Sequence, residues 1–252
     1  AAFVGETSGE VLTLSFKSKP LRHVNDLSRK RVLFDYLDRV ACCSEIKVVL
    51  IKGAPTKMTR SEYIGFYREM INAGVDQVTL ERMYNAVNQI LLKLLDLNKI
   101  IVHADSGEVL FLHLNVALAC DYRIVADNTV YQNPNIELGV VPKGGSVFFL
   151  SKMLGTVAAS RILLSGEDIP AARARELGIV DEVVAPERLD QAALEAARSY
   201  ARVPSGYAIG VKKLLNYDRK EISRYLEFEN ELLRRLVHSC PLNDFGRLGQ
   251  AL

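Results

Sequence analysis

Apolar residues recur with two different periods along this chain. Residues 11–16 alternate and predict a strand, and residues 47–51 form a nearly continuous apolar run, ended by Gly53, that predicts another. Between them Leu27, Val32, Leu33, Tyr36, Leu37 and Val40 fall at helical spacing, with Asn25 or Asp26 positioned to cap the helix start. Strands joined by a helix predict a layered α/β arrangement. The unit recurs: from Leu80, the residues Met83, Val87, Ile90, Leu91, Leu94 and Leu95 mark one face of a long helix leading into a strand at 100–102. The intervening stretch 54–76 mixes Pro, Gly, Thr and charges with aromatics. It predicts a loop with short helical pieces, mobile and on the substrate side.

Further on, a small-residue apolar helix over 114–119 precedes a buried strand over 122–125, a polar turn at Asp127-Asn128 and a strand over 129–131. A proline-bearing loop then reaches Lys143-Gly144-Gly145-Ser146, a helix start whose free N–H groups can attract an anion. A small-residue helix stops at Gly178 and gives way to an apolar strand over 179–184, a C-cap followed by a strand. Beyond about 187 the pattern is helical, over 189–201, 205–216 and 221–237. In the last helix Ile222, Tyr225, Leu226, Leu232, Leu233 and Leu236 share a face that must be buried.

Composition narrows the function classes. The 252 residues carry a net charge of +2, from 32 basic and 30 acidic side chains scattered along the chain, so there is no electrostatic footprint for a nucleic acid or an anionic membrane. No apolar run approaches the roughly 18 to 20 residues that span a bilayer, and the start lacks a signal-peptide pattern, so a soluble, cytoplasmic protein is expected. Cys42, Cys43, Cys120 and Cys240 contain no C-x-x-C and are expected as reduced structural thiols. His23, His103 and His238 lack metal-ligand spacing, and no metal is expected.

The segment LNVALACDYRIVADNTVYQNPNIELGVVPKGG at 114–145, followed by AARARELGIVDEVV at 171–184, resembles the enoyl-CoA hydratase/isomerase, or crotonase, superfamily. The resemblance extends over roughly residues 10–252. It implies an α/β fold, a crotonase-like spiral of ββα units over 1–187, with a C-terminal helical region over 188–252 that packs between subunits of a homotrimer or hexamer. Folding back on the chain's own core is the alternative for those helices. The resemblance also implies an acyl-CoA or carrier-protein acyl thioester as substrate, with coenzyme A as part of that substrate and no separate cofactor.

Members of the superfamily hold the thioester carbonyl with two backbone N–H groups that stabilise an enolate. Aligned residue by residue, the first donor falls on Arg60 and the second on Leu112, inside a Phe111-Leu112-His113 run that replaces the family's three glycines and narrows or redirects the hole. The two glutamates of the family's hydratases fall on Asn115 and Asn135. Neither amide exchanges a proton near neutral pH, so ordinary hydration is not expected. His113, whose imidazole ordinarily titrates near 6.5, and Glu137 are the substitutes considered, against the plainer roles of space-filling and a surface salt bridge. Lys143 stands where some isomerases carry an acid, and Lys19, Lys212 and Lys213 fall in regions that contact coenzyme A in the family; a solvated lysine is the alternative for each. Two functions follow: an enzyme of lyase or isomerase type using non-glutamate chemistry, or a catalytically silent paralogue that binds an acyl thioester or a partner subunit.

Overall fold

A computed structural model describes residues 3–17, 27–74, 76–216 and 218–239. β1 (Phe3–Ser8) and β2 (Val11–Phe16) form an antiparallel hairpin turned at Gly9-Glu10, and α1 (Leu27–Cys42) crosses to β3 (Val48–Lys52), parallel to β2. The residues proposed to cap α1 lie outside the described residues. α2 (Arg60–Asn72) and α3 (Gln77–Asp96) lead to β4 (Ile100–Asp105). From there each long strand is followed by a short strand of a second sheet and then by helix. β5 (Glu108–Leu110) and α4 (Phe111–Leu118) follow β4. After β6 (Tyr122–Ala126) come β7 (Val130–Gln132), α5 (Asn135–Leu138), α6 (Ser146–Leu154) and α7 (Thr156–Ser165). β8 (Ile169–Pro170) and α8 (Ala171–Glu176) lead into β9 (Glu182–Val184). The large sheet has the order β1-β2-β3-β4-β6-β9, parallel except at β1–β2, and the small one the order β5-β7-β8. This is the α/β spiral of ββα units expected from the resemblance.

β3 and β4 read as continuous apolar runs because both faces of the sheet are covered. Leu14, Val49, Ile51, Ile101 and Val125 face a core shared with α1, α3 and α4. The alternate residues Val48, Leu50, Val102 and Ile124 face α9 (Leu189–Ala201), whose Ala193 and Ala197 are fully buried against them. Alanines on that stripe let the helix axis come close to the strands. α8 ends in a Schellman motif: the amide of Gly178 donates to Arg175 O at 3.0 Å and that of Ile179 to Ala174 O at 2.8 Å, as the sequence pattern indicated.

The stretch 54–76 departs from expectation, since most of it is the 13-residue helix α2 rather than a loop with short helical pieces. The reason is a capping box. Thr59 Oγ1 accepts the amide of Glu62 at 3.3 Å while Glu62 Oε2 accepts the amide of Thr59 at 2.9 Å. The aromatics that made the segment look irregular are its buried face, with Tyr63, Ile64, Tyr67 and Met70 packed on Leu80, Tyr84 and Leu233.

Two of the three C-terminal helices bury their apolar faces on this chain, α9 on the large sheet and α11 (Arg219–Ser239) against α3, whereas α10 (Ser205–Leu215) lies beside β4 with Lys212 as its buried residue. Ile222, Leu226, Leu233 and Val237 of α11 are all in the core. Tyr207, Leu214 and Leu215 of α10 and Phe228 of α11 remain exposed. Among the described residues no helix is long and apolar enough to cross a membrane.

Because the cap satisfies two otherwise orphaned amides at the start of α2, Thr59→Ala is expected to lower stability by about 1 kcal/mol, read as a shifted urea midpoint at unchanged slope.

Candidate active site

Two helix starts border the apolar cluster that contains Met58, Tyr63, Leu110 and Leu138, the start of α2 exposed at Thr59 and Ser61 and that of α4 buried at Leu110 and Phe111. At α2 the capping box leaves the first two amides, Arg60 and Ser61, unused within the helix. At α4 the N-cap residue is Leu110 and no side chain caps the turn, so the amides of Leu112 and His113 are left over as well. Leu112 packs its side chain against both the main core and the cluster containing Met58, Tyr63 and Leu138. A bulky residue therefore sits in the expected glycine position without preventing the helix from starting there.

Asn115, fully buried on α4, is held on both sides of its amide. Its Nδ2 donates to Lys143 O at 2.9 Å and its Oδ1 accepts the Ser146 hydroxyl at 2.8 Å. Asn135, at the start of α5, accepts the Tyr63 hydroxyl at 2.9 Å and donates to Asn133 Oδ1 at 2.9 Å. Because 135–138 is a turn of helix and not an extended segment, Asn135 points inward while Glu137 points out. Glu137 meets Arg60 there: Arg60 Nε donates to Glu137 Oε1 at 2.6 Å, and its Nη1 lies 3.0 Å from Asp168. The structure thus brings Arg60 and Glu137 together as a half-exposed ion pair, an arrangement worth little on its own.

Beside Asn115 lies a carboxylate that the sequence pattern did not bring forward. Glu229 of α11 is 3% exposed, and Lys143 2%. Glu229 Oε1 accepts from Lys143 Nζ at 2.7 Å and from the Gly144 amide at 2.8 Å, and Oε2 accepts the Gly145 amide at 2.8 Å. Gly144 and Gly145 both have positive φ, 101° and 81°, which turns successive amides to one side and makes an anion cradle at the start of α6. Lys143 Nζ also donates to Asn88 Oδ1. Burial pushes the Lys143 pKa down, and the facing Glu229 opposes that. Tyr63, Tyr67 and Tyr84 pack nearby with phenol pKa values raised by burial, Tyr67 to about 12. A signal for the pair existed in the sequence: Glu229 continues the stripe Ile222, Leu226, Leu233 at helical spacing, and Asn88 lies on the buried stripe of α3. A charge on a buried stripe calls for a partner.

His113 lies at the other side of α4. Its Nε2 is enclosed with no hydrogen-bond partner among the described residues, and burial lowers its pKa to about 4, partly offset by Asp105. The imidazole is neutral at physiological pH and has a free nitrogen. Lys212 is buried, donating to Lys99 O at 2.9 Å and Asp121 Oδ2 at 2.8 Å, so it staples α10 to the ends of β4 and β6. Lys213 faces solvent. Lys19 lies outside the described residues.

A cavity of about 450 Å³ reaches this region at Asn133 and Asn135 and continues along Ile136, Val140, Val147 and Leu163. Apolar side chains dominate its lining, with Asn133, Asn135, Ser151, Thr156 and Ser160 as the polar ones.

A profile of the family described as enoyl-CoA hydratase/isomerase matches residues 65–242. The chain belongs to that family. A crystal structure of enoyl-CoA hydratase from Bacillus halodurans covers 94% of this chain and 95% of its own at a TM-score of 0.79 and 18% identity. One from Mycobacterium avium subsp. paratuberculosis covers 97% of both chains at 0.76 and 19%. These likenesses establish the crotonase fold. Among curated proteins, the trans-2-decenoyl-[acyl-carrier-protein] isomerase of Streptococcus mutans is 33% identical over 116 residues, 46% of this chain and 44% of its own. The chain spans about half the length of the curated relatives it matches.

Two outcomes are expected. Glu229→Ala leaves an uncompensated buried ammonium and should cost about 3–5 kcal/mol in chemical denaturation, whereas Lys143→Met with Glu229→Gln, which removes both charges and keeps an amide oxygen to accept from the Gly144–Gly145 turn, should cost less. The second concerns pH. Folded His113 takes its proton near pH 4 and the unfolded chain near 6.5, so below 6.5 the unfolded state is the more protonated. Stability should fall as pH drops from 6.5 towards 4 and level off below, by at most roughly 3 kcal/mol, and His113→Phe should flatten that part of the profile.

Proposed function

We propose that this protein acts on an acyl thioester, carried on coenzyme A or on a carrier protein, by stabilising an enolate without the two glutamates of the family's hydratases. Coenzyme A enters as part of the substrate and no separate cofactor is required. The observation that carries this reading is the 450 Å³ cavity meeting Asn135, in a chain whose family is defined by enoyl-CoA hydratase/isomerase members. The amides of Arg60 and Leu112, each in the first turn of its helix, are the donors for the thioester oxygen. Neutral His113 is the proton-transfer group, since the two asparagines and Glu137 are committed to other partners. The isomerase relative from Streptococcus mutans makes movement of a double bond the favoured reaction type. The exposed apolar residues of α10 support assembly as a homotrimer.

A second reading, a catalytically silent paralogue that binds an acyl thioester or a partner subunit, is favoured by the way Asn115 and Asn135 serve to hold Lys143, Ser146, Tyr63 and Asn133 in place. Titration with acyl-CoA and acyl-carrier thioesters of increasing chain length, followed by product analysis, separates the two. Saturable binding with a moved double bond supports the enzyme; binding with unchanged ligand supports the paralogue.

Hydration of crotonyl-CoA is expected to be at background, because each missing acid or base is worth about 100- to 10,000-fold. Asn115→Glu with Asn135→Glu should not restore it. The carboxylate introduced at position 115 would face Lys143 O, an acceptor against an acceptor, so that variant should be destabilised as well, as read by its thermal midpoint.

A further inference from the structure

The segments leading into the two helix starts are tied together by an ion pair whose carboxylate has entered so far only through its field at His113. Lys57, in the connection between β3 and α2, places its ammonium on the carboxylate of Asp105 at the end of β4 and on the carbonyl of Ser106. Asp105 Oδ1 also accepts the Ser106 amide at 2.9 Å. Both partners are largely enclosed, with side chains 13% and 5% exposed, so the contact is shielded from solvent screening. Gly53, the first residue after β3, lies against this carboxylate: a Cβ there would sit 2.3 Å from Asp105 Oδ1, which only glycine avoids. Three residues past Asp105, β5 begins and runs straight into α4; two residues past Lys57, Thr59 caps α2. The bridge therefore spans the two turns whose shape sets where the Arg60 and Leu112 amides point.

We infer that Lys57 and Asp105, with Gly53 making room for them, are positioning residues that fix the distance between the backbone donors at the starts of α2 and α4. This rests on the thioester reading given above. The bridge acts through the backbone and touches no substrate. A shift of one donor by about 1 Å is enough to weaken a preorganised pair of hydrogen bonds to a carbonyl.

The test uses 2,4-hexadienoyl-CoA, whose conjugated thioester absorbs at longer wavelength when its carbonyl oxygen is polarised by donors. Binding to the full chain is followed by the absorbance shift and, separately, by calorimetry for Kd. The wild-type protein should red-shift the bound chromophore. Lys57→Met, Asp105→Asn and the double variant should lose half of the shift or more while Kd stays within about threefold, because neither residue lines the cavity assigned to the acyl chain. Lys57→Arg, which keeps the charge, should recover most of it. The double variant removes both charges together and so leaves none buried alone, which keeps a folded protein for comparison. A full red shift in the variants overturns the inference while leaving the thioester reading intact, and so does failure of both the double variant and Lys57→Arg to fold, which would make the bridge a stability element. Binding without any red shift in the wild-type protein removes the donor pair itself, and with it both readings.

Discussion

The candidate site depends on one buried carboxylate. Glu229 reaches from the last helix to the start of α6 and receives three donors there, an ammonium and two successive amides. A carboxylate and an ammonium so enclosed persist only when each answers the other and the remaining polar atoms are paired, because the desolvation cost otherwise exceeds the attraction. The neighbouring polar groups follow from that constraint. Lys143 is held in place, so its carbonyl is available to Asn115, and Asn115 in turn receives Ser146. Asn88 completes the ammonium and also donates to Leu226 O at 3.4 Å, a long contact that ties α3 to α11.

This arrangement accounts for how Asn115 and Asn135 are held. Where the resemblance places glutamates there are asparagines, and each uses its donor and its acceptor on protein atoms. Amides suit that role better than carboxylates, which only accept. Charge in the region is gathered into three groups, Lys143 with Glu229, Lys57 with Asp105, and Arg60 with Glu137 and Asp168, each joining different parts of the chain. The first two are enclosed, whereas Arg60 and its carboxylates are half-exposed. His113 is neutral through burial.

Much of this is legible in the residues alone. The period-2 and period-3.6 patterns locate the long strands, α1, α3 and the C-terminal helices, because burial on one or two faces leaves a local imprint. The turn at Gly178 is readable because a Schellman motif is a local device. α2 hides in the sequence even though its Thr-Arg-Ser-Glu capping box is present, since buried tyrosines on one face resemble the aromatics of an irregular loop. Of the small sheet β7 is legible at 129–131, while β1, β5, β8 and α7 escape because they are short or weakly patterned.

The sequence by itself determined the family and the strand-helix order, and it determined that Asn115 and Asn135 carry no acid. Those are properties of residue type and spacing. Only the tertiary structure decided which groups answer one another. That Glu229 meets Lys143 across 86 positions, Lys57 meets Ser106 across 49 and Tyr63 meets Asn135 across 72 depends on how the spiral stacks its turns. It also decided that Lys212 is a buried staple and that α11 lies on its own core. The physical reason is that pairing energies act through space, and proximity between distant residues has no local signature in the chain.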